Sequence, residues 1–141
     1  MKPAVCTALA AILLLPWLAL AAEKQDDAEK KAVAAAEAWL KLVDQGKFGD
    51  AWDAAADYLK KAVSKEDFAK SLTAARKPLG SVKSRDLKSK QYATSLPGAP
   101  DGEYVVIQFK TAFENKKSAV ETITPMLDKD KKWRVSGYFI K

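Results

Sequence analysis

The spacing of apolar and polar positions changes rhythm twice along this chain. From Ala4 to Ala22 there is no charged residue at all. From Asp27 to Gln45 apolar residues return at helical spacing: Val33, Ala36, Leu40 and Val43 form one stripe, widened by Ala32, Trp39 and Leu42. That spacing predicts a helix over 27–45. Glu37 and Lys41 pair on its polar side, and Gly46 is a natural stop. Asp50 is placed to cap a second, shorter helix with Trp52, Ala55, Ala56 and Leu59 on its apolar face. A third helix starts at Ser64, an N-cap residue with Asp67 at the position of the reciprocal acceptor. Val63 and Phe68 flank that cap as a hydrophobic staple. Phe68, Leu72 and Ala75 form its buried side, and Pro78 and Gly80 end it.

After Gly80 the period moves toward two. Tyr104–Phe113 is the clearest strand: Val105, Ile107, Phe109 and Phe113 share one parity, Tyr104, Gln108 and Lys110 the other. Ser118–Leu127 and Lys132–Ile140 read as two more strands, joined by the turn Asp128–Lys131. Val82–Leu96 reads as a first strand whose alternation is broken, since Val82, Leu87 and Tyr92 do not share one parity; a bulge would repair it. Lys83, Arg85, Lys88 and Lys90 suit an edge strand protected against pairing, or an anion-binding strip. Helices first and strands second predict an α+β domain. Three N-terminal helices are expected on one face of a curved four-stranded antiparallel meander, in order 1-2-3-4. Val105, Ile107, Phe109, Ile123, Leu127, Trp133, Val135 and Phe139 are the expected helix-facing positions.

The uncharged N-terminal run changes the picture of where the chain acts. Lys2, the apolar stretch and Ala19-Leu20-Ala21 have the form of a secretory signal cut after Ala21 or Ala22. Residues 1–21 are then signal peptide and 22–141 one domain, exported to the periplasm or beyond. The run is also near the length that spans a bilayer, so an uncleaved N-terminal anchor is the alternative. Cys6 precedes the apolar core and does not suit lipid attachment.

Composition removes chemistries. The chain has no histidine, and its one cysteine, Cys6, leaves with the signal. Histidine-based triads and histidine- or thiolate-based metal sites therefore have no ligands to draw on. No glycine pattern cradles a phosphate. No cofactor and no metal is expected. The Asp128–Lys131 turn lacks the spacing and glycine of a calcium loop. The net charge of +6 comes from scattered basic residues with no interleaved aromatic platform, which argues against nucleic acid.

Two kinds of site remain. Trp39, Trp52 and Trp133 are candidates to line a cleft between helices and sheet for a small apolar ligand or an envelope component; their ordinary alternative is core packing. Glu121 is the one catalytic candidate. It shares parity with Ile123 and Leu127, so alternation aims it at the helix-covered side, where a carboxylate needs a partner or a proton. A homodimer is a further expectation, through an outer sheet face of Tyr104, Val106, Thr122, Thr124, Ser136 and Tyr138.

Several segments together resemble a known family. Trp39 with Leu42-Val43-Asp44, Phe48 with Ala51-Trp52, and Pro78-Leu79-Gly80 are similar to small bacterial proteins catalogued as domain of unknown function 4019. The run from Ser95 to Tyr104 and that from Trp133 to Tyr138 carry the resemblance furthest. It implies a fold of the cystatin-like or nuclear-transport-factor-2-like group and no defined activity. The function expected is a non-catalytic exported binding or interaction module of the envelope. The alternative is a pocket enzyme of the proton-abstracting isomerase or cyclase type, with Glu121 as its carboxylate.

Overall fold

A computed structural model describes residues 16–141. Residues 1–15, with Lys2, Cys6 and most of the uncharged run, lie outside the described residues. The first helix, α1 (Pro16–Asp44), is longer than the sequence pattern predicts. Its first buried residue is Ala28, and residues 16–27 are all exposed. Among the described residues no helix is long and apolar enough to cross a membrane. The stop is as expected: Gly46 has φ +74°, and Lys47 N–H reaches back to Leu42 C=O at 2.9 Å, a Schellman closure.

The second predicted helix is in fact two, α2 (Phe48–Asp53) and α3 (Asp57–Ala62), so the described residues hold four α-helices where the sequence pattern predicts three. The break falls at Ala56, which is extended and donates its N–H to Val135 C=O at 2.8 Å. A bond to the sheet replaces the bond that would have continued the helix. Asp50 is not a cap but lies in the first turn of α2, where its charge complements the helix dipole. α4 (Lys65–Arg76) starts as predicted, with Ser64 Oγ accepting from Asp67 N–H at 3.2 Å. A short 3₁₀ turn, Lys77–Leu79, follows.

Strands β1 (Val82–Ala93), β2 (Tyr104–Phe113), β3 (Lys116–Leu127) and β4 (Trp133–Ile140) form an antiparallel sheet in the order β1-β2-β3-β4. The helices and the sheet share one core. Trp39, Leu40 and Val43 of α1, Leu59 of α3 and Phe68 and Leu72 of α4 pack against Val105, Ile107, Phe109, Ile123 and Val135. The expected irregularity in β1 is present, with register shifts at Val82/Ser84 and Leu87/Ser89.

β4 departs from strict alternation. Thr124 pairs with Gly137 but Pro125 pairs with Val135, so Ser136 is an extra residue. Its hydroxyl donates to Thr124 C=O at 2.7 Å. Every side chain beyond this bulge changes face. Phe139, expected in the core, is 52% exposed, and Tyr138, expected on the outer face, packs edge-on against Trp39 with ring centroids 5.3 Å apart. The outer face also loses Tyr104, which is buried with its hydroxyl donating to Pro100 C=O at 2.5 Å.

Candidate functional site

α3 and α4 do not close fully over the edge of the sheet. Between them and β4 lies an apolar groove of about 610 Å3, within the roughly 300–1,000 Å3 range that holds bound ligands. Leu59, Val63, Phe68 and Leu72 form its helical wall, and Tyr138, Phe139 and Ile140 its strand wall. Ser71 and Ala75, both exposed, stand along the mouth on α4, and Lys116 at one end.

β4 is an edge strand, and its ladder shows which backbone groups are free. Val120 and Lys141 exchange both hydrogen bonds, each at 2.9 Å. Alternation then makes Thr122–Phe139 the next hydrogen-bonded pair, and Glu121–Ile140 and Ile123–Tyr138 the non-bonded ones. The N–H and C=O of Tyr138 and Ile140 therefore point away from β3, along the free edge that the groove flanks.

Tyr138, in the strand wall, is fixed from behind by a charge network. Its hydroxyl donates to Glu121 Oε2. Arg85 donates to the same carboxylate through Nε at 2.7 Å and Nη2 at 3.2 Å, and Thr111 Oγ1 donates to Oε1 at 2.5 Å. On its other side Arg85 meets Asp44 through Nη1 at 2.7 Å and Nη2 at 3.0 Å. Arg76 Nη2 joins Asp44 Oδ1 at 2.8 Å. Two guanidinium groups thus face two carboxylates, and the cluster joins α1, α4 and all four strands. Glu121 is fully buried, which such pairing makes tolerable.

The electrostatics follow from burial and these partners. Burial disfavours the charged form of Asp44, but hydrogen bonds from Arg85 and Arg76 outweigh it and hold the carboxyl below its ordinary 3.8. Burial also works against the Arg85 charge, yet Asp44 and Glu121 hold it more firmly protonated than usual. Burial, then the charge of Glu121, push the Tyr138 hydroxyl far above the ordinary phenol range, so it remains a donor. Among the described residues Arg76 Nε and Nη1 are buried without a hydrogen-bond partner; the guanidinium lies 5.0 Å from the Phe113 ring centroid, a cation–π contact that offsets part of this.

The sequence-predicted residues fall in different places. Glu121 is buried toward the helices, as its parity implies, with its oxygens engaged by Arg85, Thr111 and Tyr138; it does not line the groove. Trp39 is in the core, its indole N–H donating to Ala51 C=O at 2.8 Å. Trp52 is half-buried and donates to Val63 C=O at 2.9 Å. Trp133 borders a separate hollow with Lys24, Asp27 and Glu103 at the other end of β4. None of the three tryptophans lines the groove. Among the described residues no group of three Asp, Glu, His or Cys is arranged to hold a metal. Sequence reasoning missed Asp44 and Arg76 and assigned Arg85 to the outside of an edge strand. A broken parity in β1 was the available signal that Arg85 turns inward.

The described residues thus form an α+β fold with one four-stranded sheet, a buried apolar core and an apolar groove beside the β4 edge. The chain belongs to the family described as Protein of unknown function (DUF4019), whose pattern matches residues 35–138. No curated protein and no solved structure matches it.

Proposed function

We propose that this protein is a non-catalytic binding module of the bacterial envelope, exported by an N-terminal signal cut after Ala21 or Ala22, and that it captures an apolar partner in the groove between α3–α4 and β4. The observation that carries this reading is the groove itself. It is apolar and of ligand size, and it lies against the core in which Trp39 packs edge-on against Phe68 and Tyr138. A cut at Ala21 is compatible with the fold, because the first buried residue among the described ones is Ala28.

The test is expression of the full precursor in a bacterial host, intact mass of the exported material, and titration with the apolar dye bis-ANS. The reading expects an N-terminus at Ala22 or Glu23. It also expects saturable dye binding that is lost in Ala75→Trp, an exposed position where an indole fills the groove mouth. Exported protein that keeps Met1 overturns the cleavage. Dye binding indifferent to Ala75→Trp overturns the groove.

A second reading, a proton-abstracting pocket enzyme, rests on Glu121 and the Tyr138 hydroxyl lying together in a buried place. It requires Arg85 or Thr111 to release the carboxylate before it can act as a base.

A further inference from the structure

We propose that the occupant of the groove is an extended peptide that pairs with β4 as a fifth strand, with apolar residues at alternate positions and an acidic residue at the end beside Lys116 and Lys141. The inference rests on the groove being the binding surface and goes further by naming what fills it.

Three observations carry it. The first is the free edge. Tyr138 and Ile140 present both backbone groups outward, and among the described residues nothing donates to or accepts from them. An extended peptide satisfies such a row; a lipid tail or a small apolar molecule leaves it unpaired. The second is the side-chain pattern. An added strand continues the pleat, so alternate side chains fall on the helix side, against Leu59, Phe68 and Leu72, while those between fall beside the exposed Phe139. The third is charge. Lys116 lines one end of the groove and Lys141 follows β4 at the same end of the sheet. Both are exposed, and among the described residues neither is ion-paired. The other end of the edge is already closed, because Ala56 N–H occupies Val135 C=O. The open stretch is therefore short and has a defined direction of charge.

The experiment uses the exported chain and a fluorescein-labelled peptide of about eight residues, a usual strand length, alternating valine and threonine with two glutamates at one terminus. Fluorescence anisotropy reads binding. A second peptide carries N-methyl groups on alternate amides, which deletes ladder donors and keeps every side chain. The protein variant is Ile140→Pro. It removes an outward N–H that the β3–β4 ladder does not use, a place where proline is tolerated on an edge, together with the groove-lining side chain of Ile140. Ile140→Ala, which loses the side chain and keeps the N–H, is therefore measured beside it and is expected to bind more tightly than Ile140→Pro; circular dichroism checks that the fold is kept. The expected results are saturable binding of the first peptide and a loss of roughly tenfold or more in affinity for the methylated peptide and for Ile140→Pro, about one or more hydrogen bonds' worth. Lys116→Glu is expected to weaken binding and reduce its salt dependence. Equal binding of both peptides, or full binding by a folded Ile140→Pro, overturns strand addition while leaving the groove as a binding surface. So does bis-ANS or oleate binding without peptide binding. If dye, oleate and peptide all fail to bind, the groove reading falls with it.

Discussion

The two edges of the sheet are built in contrasting ways. β1 carries exposed Lys83 and Lys88, breaks register twice, and turns its one guanidinium inward. β4 carries Tyr138, Phe139 and Ile140, breaks register once, and looks onto an apolar groove. Charge and irregularity are the ordinary means by which proteins prevent strands from adding to an edge. This chain, with a net charge of +6, has lysines in abundance and uses them on β1. Their absence from the middle of the β4 edge is therefore a local property and not a consequence of composition. The two edges are also anchored differently: β1 through the ionic bonds of Arg85 to α1 and β3, the groove-flanking end of β4 through the Tyr138 hydroxyl, while Arg134 at its other end is ion-paired within its own hairpin.

The contrast in anchoring breaks most severely at Arg85. Arg85→Ala leaves the fully buried Glu121 carboxyl without its ionic partner and short of two donated hydrogen bonds, and is expected to cost about 3–5 kcal/mol in urea unfolding. An unchanged midpoint would show that β1 is not held by this network. Tyr138→Phe removes the matching anchor of β4 and is expected to cost about 1.5–3 kcal/mol, the range for a hydrogen bond to a charged group. Differential scanning calorimetry on the two variants should rank Arg85 above Tyr138.

Acid sharpens the same comparison. The Asp44 carboxyl is depressed in the folded state, so its contribution is fully present above its ordinary 3.8 and is lost as pH falls through the lower folded value. Wild type and Asp44→Asn should therefore differ in stability at neutral pH and converge under acid, by an amount smaller than for Arg85→Ala. The exposed Asp130, held at about 2 by its hydrogen bonds with Arg134, shifts in the same direction at the hairpin and should be erased by salt. A wild-type to Asp44→Asn gap that does not narrow on acidification would contradict this assignment. The smallest stability effects belong to the edges themselves. Phe139→Lys should change stability by no more than about 0.5 kcal/mol, since the ring is half in solvent, yet abolish anisotropy with the valine–threonine peptide. Lys83→Val with Lys88→Val should be equally mild for stability but produce concentration-dependent association in light scattering. If the two edges respond alike, the contrast between them is without consequence.

What could be read from the sequence is what depends on near neighbours. Ser64 with Asp67, the stop at Gly46, the alternation of β2 and the broken parity of β1 are all written within a few residues, and the structure has each of them. The split of the second helix was hidden because Ala54, Ala55 and Ala56 are excellent helix formers; a bond from Ala56 to Val135 in another part of the chain overrides them. The exchange of Tyr138 and Phe139 between faces came from one extra residue at Ser136. Gly137 beside it was a usable sign, since glycine inside a strand often marks a bulge. The inward aim of Glu121 followed from parity, but its partner Arg85 lies 36 residues away, beyond the reach of any local pattern. The groove was invisible for the same reason: its walls come from α3, α4 and β4.

The meander has a consequence for affinity. Each strand of this sheet lies beside the one that precedes it in sequence, and β4 is tethered to β3 by the short turn at 128–132. A short tether of this kind keeps its strand at an effective concentration in the millimolar range. A free peptide joining β4 repeats the same step without the tether. To occupy the edge at about 1 μM it must recover three powers of ten, about 4 kcal/mol. At about 25 cal/mol per Å2 that corresponds to about 160 Å2 of apolar surface, roughly one large side chain lowered into the groove.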